Sequence, residues 1–186
     1  MTRIIAGAAR GRRLRTPSGS RTRPTTDRVR ESLFASLVSE LGGLDDLRVL
    51  DLYAGSGAVG LEALSRGASA AVMVEIDART CEVARDNAAT LGLPGARVVR
   101  SKVRSHLEGL PDQPFDVVFL DPPYDVPADD VVDVLAALAL PGWLSADAVV
   151  VVERSSRGGL TWPAGLEALR DRTYGETTLW YGQPHA

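Results

Sequence analysis

The apolar residues between positions 48 and 153 predict strands and helices that alternate along the chain. Short, nearly continuous apolar runs predict five strands, at residues 48–53, 70–75, 97–100, 115–120 and 148–153. Apolar residues at helical spacing predict three helices between them, at residues 58–66, 78–91 and 128–140. Because strands that are apolar on successive residues need cover on both faces, the pattern predicts a mostly parallel sheet in an α/β fold.

The N-terminal segment departs from this alternation. Residues 3–5 and 13–15 predict a small hairpin, and a loop rich in Pro, Gly, Ser and Arg follows it. A helix then begins at Thr26 or Asp27, either of which can cap it, and ends before a pair of glycines at 42–43.

The C-terminal segment predicts a second departure. Residues 170–174 and 177–181 flank a Gly-Glu pair and predict an antiparallel hairpin, which brings the sheet to seven strands. We therefore divide the chain into a small N-terminal extension, residues 1–25, and one domain, residues 26–186.

Charge is distributed unevenly along the chain. The formal net charge is −3, but the first 30 residues contain nine arginines and one acidic residue, a net +8, so the remainder carries −11. Such an arm is typical of a segment that binds a polyanion, although a solvated, disordered tail has the same composition. The candidates for nucleic-acid binding are Arg3, Arg10, Arg12, Arg13, Arg15, Arg21 and Arg23.

Several classes of protein are disfavoured by the sequence. The apolar run at 148–152 is far shorter than the roughly 20 residues of a membrane span, and the N-terminus lacks a secretory signal. A single cysteine, Cys81, suits a reducing cytoplasm, and His106 and His185 lack neighbours at metal-ligand spacing. We expect a cytoplasmic monomer without a metal ion or a membrane partner.

A glycine-rich turn follows the first strand of the α/β segment. Gly55, Gly57 and Gly60 form a G-x-G-x-x-G pattern, whose glycines permit a tight turn and let a ligand approach backbone N–H groups. Glu75 ends the next predicted strand, 18 residues after Gly57, where a carboxylate can accept both ribose hydroxyls of an adenosine. The pattern therefore predicts a cofactor that contains adenosine.

Asp51 favours S-adenosylmethionine over a dinucleotide at this turn. A carboxylate at the strand end can accept the ammonium of the ligand, directly or through water, whereas a pyrophosphate so close to it is disfavoured. The candidate cofactor-binding residues here are Asp51, Tyr53, Ala54, Gly55, Ser56, Gly57, Glu75 and Ile76.

The strand at 115–120 delivers the sequence Asp121-Pro122-Pro123-Tyr124 at its carboxyl end, where ligands bind in open α/β sheets. The prolines lack N–H groups, so the Asp121 carboxylate and the Pro122 carbonyl can accept the two hydrogens of an amine. Tyr124 offers a flat face for stacking of a base. These four residues are the candidate catalytic residues for methylation of an amino group on adenine, cytosine or guanine.

These motifs resemble the RsmD-type family of bacterial 16S ribosomal RNA guanine-N2 methyltransferases. The resemblance is carried by residues 23–34, 51–60, 62–67, 121–124 and 174–179, together with the N-terminal segment, and it covers nearly the whole chain. It implies a Rossmann-like class I S-adenosylmethionine-dependent methyltransferase fold with a small basic hairpin extension. The implied substrate is guanine 966 of 16S ribosomal RNA, methylated during small-subunit assembly.

The resemblance also adds residues to the cofactor site. Thr25, Asp27 and Arg30 are expected near the methionine end of the cofactor. One position differs from the family, because Lys102 follows the third strand where an acceptor for the adenine amine is common. A lysine cannot accept a hydrogen bond, so the adenine contact stays open.

Three other functions fit some of the same motifs. A DNA adenine methyltransferase shares the glycine turn and the proline turn. Enzymes that read a DNA sequence need a long insertion to reach the major groove, and no such insertion is evident in this sequence. A nicotinamide dehydrogenase shares the glycine turn alone. A non-catalytic RNA-binding protein shares the arginine-rich arm.

Overall fold

The computed structural model describes residues 2–17 and 27–185. Its strands are β1 Thr2–Arg3, β2 Arg13–Leu14, β3 Arg48–Leu52, β4 Ala70–Glu75, β5 Ala96–Arg100, β6 Phe115–Leu120, β7 Leu144–Ser155, β8 Leu166–Tyr174 and β9 Thr177–Pro184. Its helices are α1 Asp27–Leu41, α2 Ala58–Ser65, α3 Ala78–Leu91, α4 Val103–Leu107 and α5 Ala128–Leu138. Among the helices described, none is long and apolar enough to cross a membrane.

The large sheet has seven strands in the order β5-β4-β3-β6-β7-β9-β8. Strands β3 to β7 are parallel, and β9 runs antiparallel between β7 and β8. This topology confirms the predicted mostly parallel sheet that ends in an antiparallel hairpin. The chain reverses its direction of winding between β3 and β6, so their carboxyl ends border the crevice where open α/β sheets bind ligands.

The core lies on both faces of the sheet. Alternate residues of β7 divide between two apolar clusters: Val149 and Val151 belong to one, Val150 and Val152 to the other. The first cluster contains apolar residues of α1, α2 and the N-terminal hairpin, and the second contains those of α4 and α5. Burial on both faces explains why the strand sequences are apolar at successive positions.

The N-terminal hairpin packs on the domain. Ile4, Ala9 and Leu14 are buried in the first apolar cluster, and the Ala8 N–H donates to the Ser65 carbonyl at 2.7 Å. The apolar side chains in the described part of the predicted arm are therefore buried in the core of the domain, whereas its arginines are exposed.

One helix that was not predicted and the earlier starts of two strands have physical explanations. Helix α4 has five residues, too few to produce a helical repeat in the sequence. Strand β7 begins at Leu144 rather than at 148, because its first residues are partly polar and lie at an irregular register beside Phe115. Strand β8 begins at Leu166 rather than at 170; it is an edge strand that is only partly buried, and its register with β9 is irregular between Ala168 and Arg170.

Candidate cofactor and base site

A cavity of about 510 Å³ lies at the carboxyl ends of β3, β4 and β6. Its volume is in the range of small-molecule sites. Eight predicted site residues line it: Tyr53, Ala54, Gly55, Ser56, Glu75, Ile76, Asp121 and Pro123. Thr16 and Pro17 also line it, so the end of the N-terminal hairpin segment forms part of its wall.

The glycine-rich turn uses backbone conformations that favour glycine. Gly57 has φ of +80°, and a Cβ atom there would lie 2.8 Å from the Met73 sulfur. A Cβ on Gly60 would lie 2.7 Å from Met73 Cγ, so both positions need glycine for α2 to pack on β4. Tyr53 has φ of +63° without being glycine, a strained conformation of the kind found at functional sites.

Glu75 holds the turn in place from the end of β4. One carboxylate oxygen accepts from the Gly55 N–H at 3.0 Å, and the other accepts from the Asp77 N–H at 2.9 Å. A carboxylate can accept about four hydrogen bonds. Since Glu75 lines the cavity, its oxygens could accept ligand hydroxyls in addition to the backbone.

Asp51 lies beneath the turn and is 2% exposed. Its carboxylate accepts from the Gly60 N–H at 3.0 Å, at the start of α2. The pKa of Asp51 is raised from 3.8 to about 7. Burial is the largest cause, the hydrogen bond from Gly60 lowers the pKa, and the negative charge of Glu75 raises it. Asp51 is not among the residues that line the cavity, so its observed contact is with the turn itself.

Asn87 connects this turn to the N-terminal hairpin. Its side-chain amide binds both backbone polar groups of Arg15 and donates to the Ser56 carbonyl at 3.0 Å. Asn87 was not among the predicted site residues. A polar side chain on the apolar face of the predicted helix, between Ala84 and Leu91, was the available signal.

The Asp121-Pro122-Pro123-Tyr124 turn follows β6 at the border of two cavities. Asp121 lines the large cavity and also a small one of about 40 Å³. Pro122 and Tyr124 line the small cavity, and Tyr124 is 66% exposed. Asp121 thus lies where a ligand in one cavity would meet a ligand in the other. The small cavity is completed by Glu153, Arg154 and Ser155 of β7, which were not among the predicted site residues.

The segment after β5 forms another wall of the large cavity. Ser101, Lys102 and Val103 line it, and the Ser101 N–H donates to the Glu75 carbonyl at 3.0 Å. The position of Lys102 next to the cavity agrees with its expected place in the cofactor site.

Arg30 lies elsewhere. Its side chain is fully buried, donates to Asp27 at 3.0 Å and to the Arg3 carbonyl, and lies 3.8 Å from the Glu62 carboxylate. Glu62 also accepts the Ile5 N–H at 2.7 Å. Arg30 is not among the residues lining the cavity; its described contacts connect the hairpin to α1 and α2, and its place near the cofactor stays a prediction.

The described arginines of the hairpin have exposed side chains. Arg10 and Arg13 are exposed, Arg12 donates to the Thr90 carbonyl at 2.5 Å, and Arg15 lies 3.3 Å from Asp86. Arg3 lies 3.6 Å from Asp27. The predicted residues Arg21, Arg23 and Thr25 lie outside the described residues.

Comparison with known proteins agrees with this architecture. The family model described as "Conserved hypothetical protein 95" matches residues 2–183. The Ribosomal RNA small subunit methyltransferase D of Escherichia coli is 41% identical over 94% of this chain and 85% of its own length. The enzyme of that name from Haemophilus influenzae is 35% identical over 93% of this chain and 89% of its length.

A solved structure extends the comparison to three dimensions. The Escherichia coli protein yhhF superposes with a TM-score of 0.85 at 39% identity, covering 100% of this chain and 98% of that one. The expected methyltransferase fold is thereby confirmed. The chain belongs to the RsmD-type methyltransferase family.

Proposed function

We propose that this protein methylates the exocyclic N2 amine of a guanine in 16S ribosomal RNA, guanine 966 by resemblance, with S-adenosylmethionine as methyl donor. The position of Asp121 carries the proposal, because this carboxylate lines both the large cavity and the small one. A methyl donor in the large cavity and a base that directs its amine edge into the small one would meet at Asp121.

The large cavity fits the proposed donor. The Glu75 oxygens are available to ribose hydroxyls, Tyr53 to Ser56 and Ile76 supply backbone and apolar contacts, and Asp51 adds negative charge near the turn when ionised. The side chain of Lys102 cannot accept from an adenine amine, so we assign that contact to backbone groups of the segment after β5. When bound, S-adenosylmethionine would supply an electrophilic methyl group on a sulfonium, with the neutral thioether as its leaving group.

Asp121 and Pro122 would orient the amine. The carboxylate and the Pro122 carbonyl accept its two hydrogens, which aims the nitrogen lone pair away from the turn. The same acceptors favour the positive charge that grows on nitrogen during transfer. The exposed ring of Tyr124 offers a stacking surface for a base extruded from RNA.

The N-terminal hairpin would bind the RNA backbone. Five of the seven predicted arginines are described, and they lie on the hairpin that forms a wall of the large cavity. Arginine side chains there can contact phosphates around the target base. The names of the two relatives support ribosomal RNA of the small subunit as the substrate, within an assembly particle in our proposal.

A transfer assay with labelled S-adenosylmethionine tests the proposal. The substrates are small subunits and naked ribosomal RNA from cells that lack this protein, with unmethylated DNA beside them, and the modified nucleoside is identified after digestion. We expect N2-methylguanosine in the RNA. N6-methyladenine in the DNA would replace the proposal with a DNA methyltransferase, and the absence of transfer to any of them would contradict both.

A further inference from the structure

Glu153 is placed next to Asp121 by the strand register. Leu120 of β6 pairs with Val152 of β7 in parallel, so the two carboxylate residues come next on neighbouring strands. Both line the small cavity. Glu153 is only 8% exposed and directly follows a run of buried valines on β7.

The chemistry of two adjacent carboxylates distinguishes one base from the others. Ionised carboxylates only accept hydrogen bonds. Guanine presents two neighbouring donors, the N2 amine and the N1–H, on its Watson–Crick edge. In adenine and cytosine the ring nitrogen beside the exocyclic amine is an acceptor, which a carboxylate repels.

We propose that Glu153 determines the choice of guanine by accepting the N1–H while Asp121 holds the N2 amine. This inference rests on the proposed function and adds the residue that excludes adenine and cytosine. Arg154, which lines the same cavity, supplies a positive charge beside the two carboxylates, and its guanidinium is fixed by donating to the Val126 carbonyl at 3.1 Å. Tyr124 lies on the same cavity and would cover the face of the base.

Replacing the target guanosine by 2-aminopurine tests this role. The analogue keeps the amine at C2 but has an acceptor at N1, and it also lacks O6. We measure kcat/KM of the wild type for the RNA substrate with each base at the target position, assembled into subunits if those are the methylated form. We expect the wild type to prefer guanosine by about 100-fold or more, as sites built around a hydrogen bond do. A ratio near one in the wild type overturns the proposal without any variant.

The variant Glu153→Gln separates N1 recognition from the loss of O6. A glutamine can donate to the N1 of 2-aminopurine or accept from the N1–H of guanine, so we expect the preference to fall to about tenfold or less. Glu82→Gln, which changes an exposed carboxylate on α3, serves as control and should keep the wild-type ratio. An unchanged ratio in Glu153→Gln overturns the inference while N2-methylguanosine formation by the wild type still supports the proposed function. If the wild type forms no N2-methylguanosine, the proposed function itself fails.

Discussion

The side chain of Asn87 binds both backbone polar groups of Arg15, a residue 72 positions earlier in the chain. Its Oδ1 accepts the Arg15 N–H at 2.8 Å and its Nδ2 donates to the Arg15 carbonyl at 3.0 Å. The same Nδ2 donates to the Ser56 carbonyl of the glycine-rich turn. One buried amide therefore fixes the proposed RNA-binding hairpin and the proposed cofactor turn relative to each other.

Asn87→Asp should lower the stability of the folded protein. The substitution keeps the size of the side chain but removes two donors and sets a carboxylate against the Arg15 and Ser56 carbonyls. We expect the free energy of unfolding in urea to fall by about 1–3 kcal/mol or more, the usual cost of leaving buried polar groups unsatisfied. The control Asp86→Ala removes only an exposed ion pair with Arg15 and should cost less than about 1 kcal/mol. Equal effects of the two substitutions would contradict this role.

The raised pKa of Asp51 makes a prediction about stability and pH. Between about pH 4 and 7 the folded protein keeps a proton on Asp51 that the unfolded chain releases, so this residue's contribution falls as pH rises through that window. Asp51→Asn does not titrate. The difference in unfolding free energy, wild type minus Asp51→Asn, should therefore decrease by a few kcal/mol, to order of magnitude, from pH 4 to pH 8. Urea denaturation at several pH values measures it, and a constant difference would show that the pKa is ordinary.

Asp121→Ala should abolish methyl transfer while cofactor binding persists. Its carboxylate is assigned to the amine of the base, whereas the proposed contacts to the cofactor come from the turn and Glu75. We expect kcat to fall by at least about 100-fold, as when an oriented polar group of a transition state is removed. Calorimetric titration with S-adenosylmethionine should give an affinity within a few-fold of the wild type. Joint loss of binding and transfer would undermine the assignment.

Elements whose apolar residues follow the spacing of a strand or a helix could be predicted from the sequence. Strands β4 and β6 and helix α3 have the predicted boundaries, because the two strands are mostly buried and apolar, and α3 ends at Gly92 in a left-handed conformation. The glycine turn and the proline turn were also predictable, since their chemistry depends on residues that are adjacent in the chain. Their convergence on one cavity follows from the parallel order of β3, β4 and β6.

Residues whose roles depend on distant partners could not be predicted. The place of Glu153 in the small cavity requires the register of β6 with β7. The family resemblance implied a place near the cofactor for Arg30, whereas in the structure its side chain contacts the buried Glu62 of α2 and the Arg3 carbonyl. Neither partner is marked by a local sequence pattern.

Glu75→Gln and Lys102→Ala should affect cofactor binding differently. Glu75→Gln removes the charge and puts an amide N–H₂ donor where an acceptor faces Gly55, Asp77 or the ligand. We therefore expect the dissociation constant of S-adenosylmethionine to rise by about 10- to 100-fold.

Lys102 lines the cavity, but we assign the adenine contact to backbone groups. Lys102→Ala should therefore change the dissociation constant of S-adenosylmethionine less than about threefold. Calorimetric titration with S-adenosylmethionine measures both. A large loss in Lys102→Ala would instead assign the adenine site to that side chain.

Replacing Arg10, Arg12, Arg13 and Arg15 by alanine should weaken RNA binding and flatten its dependence on salt. Each phosphate contact contributes about 0.7–0.9 to the slope of log K against log salt, so loss of all four should reduce the slope by about 3. The pair Arg10 and Arg13 alone should account for about half of this change, because it removes two of the four arginines. Arg172→Ala on the edge strand β8 is the matched control and should leave the slope unchanged. Filter binding of the ribosomal RNA at 50–200 mM salt measures each slope. An unchanged slope in the fourfold variant would mean that these arginines are a solvated surface and that the phosphate contacts lie elsewhere on the protein.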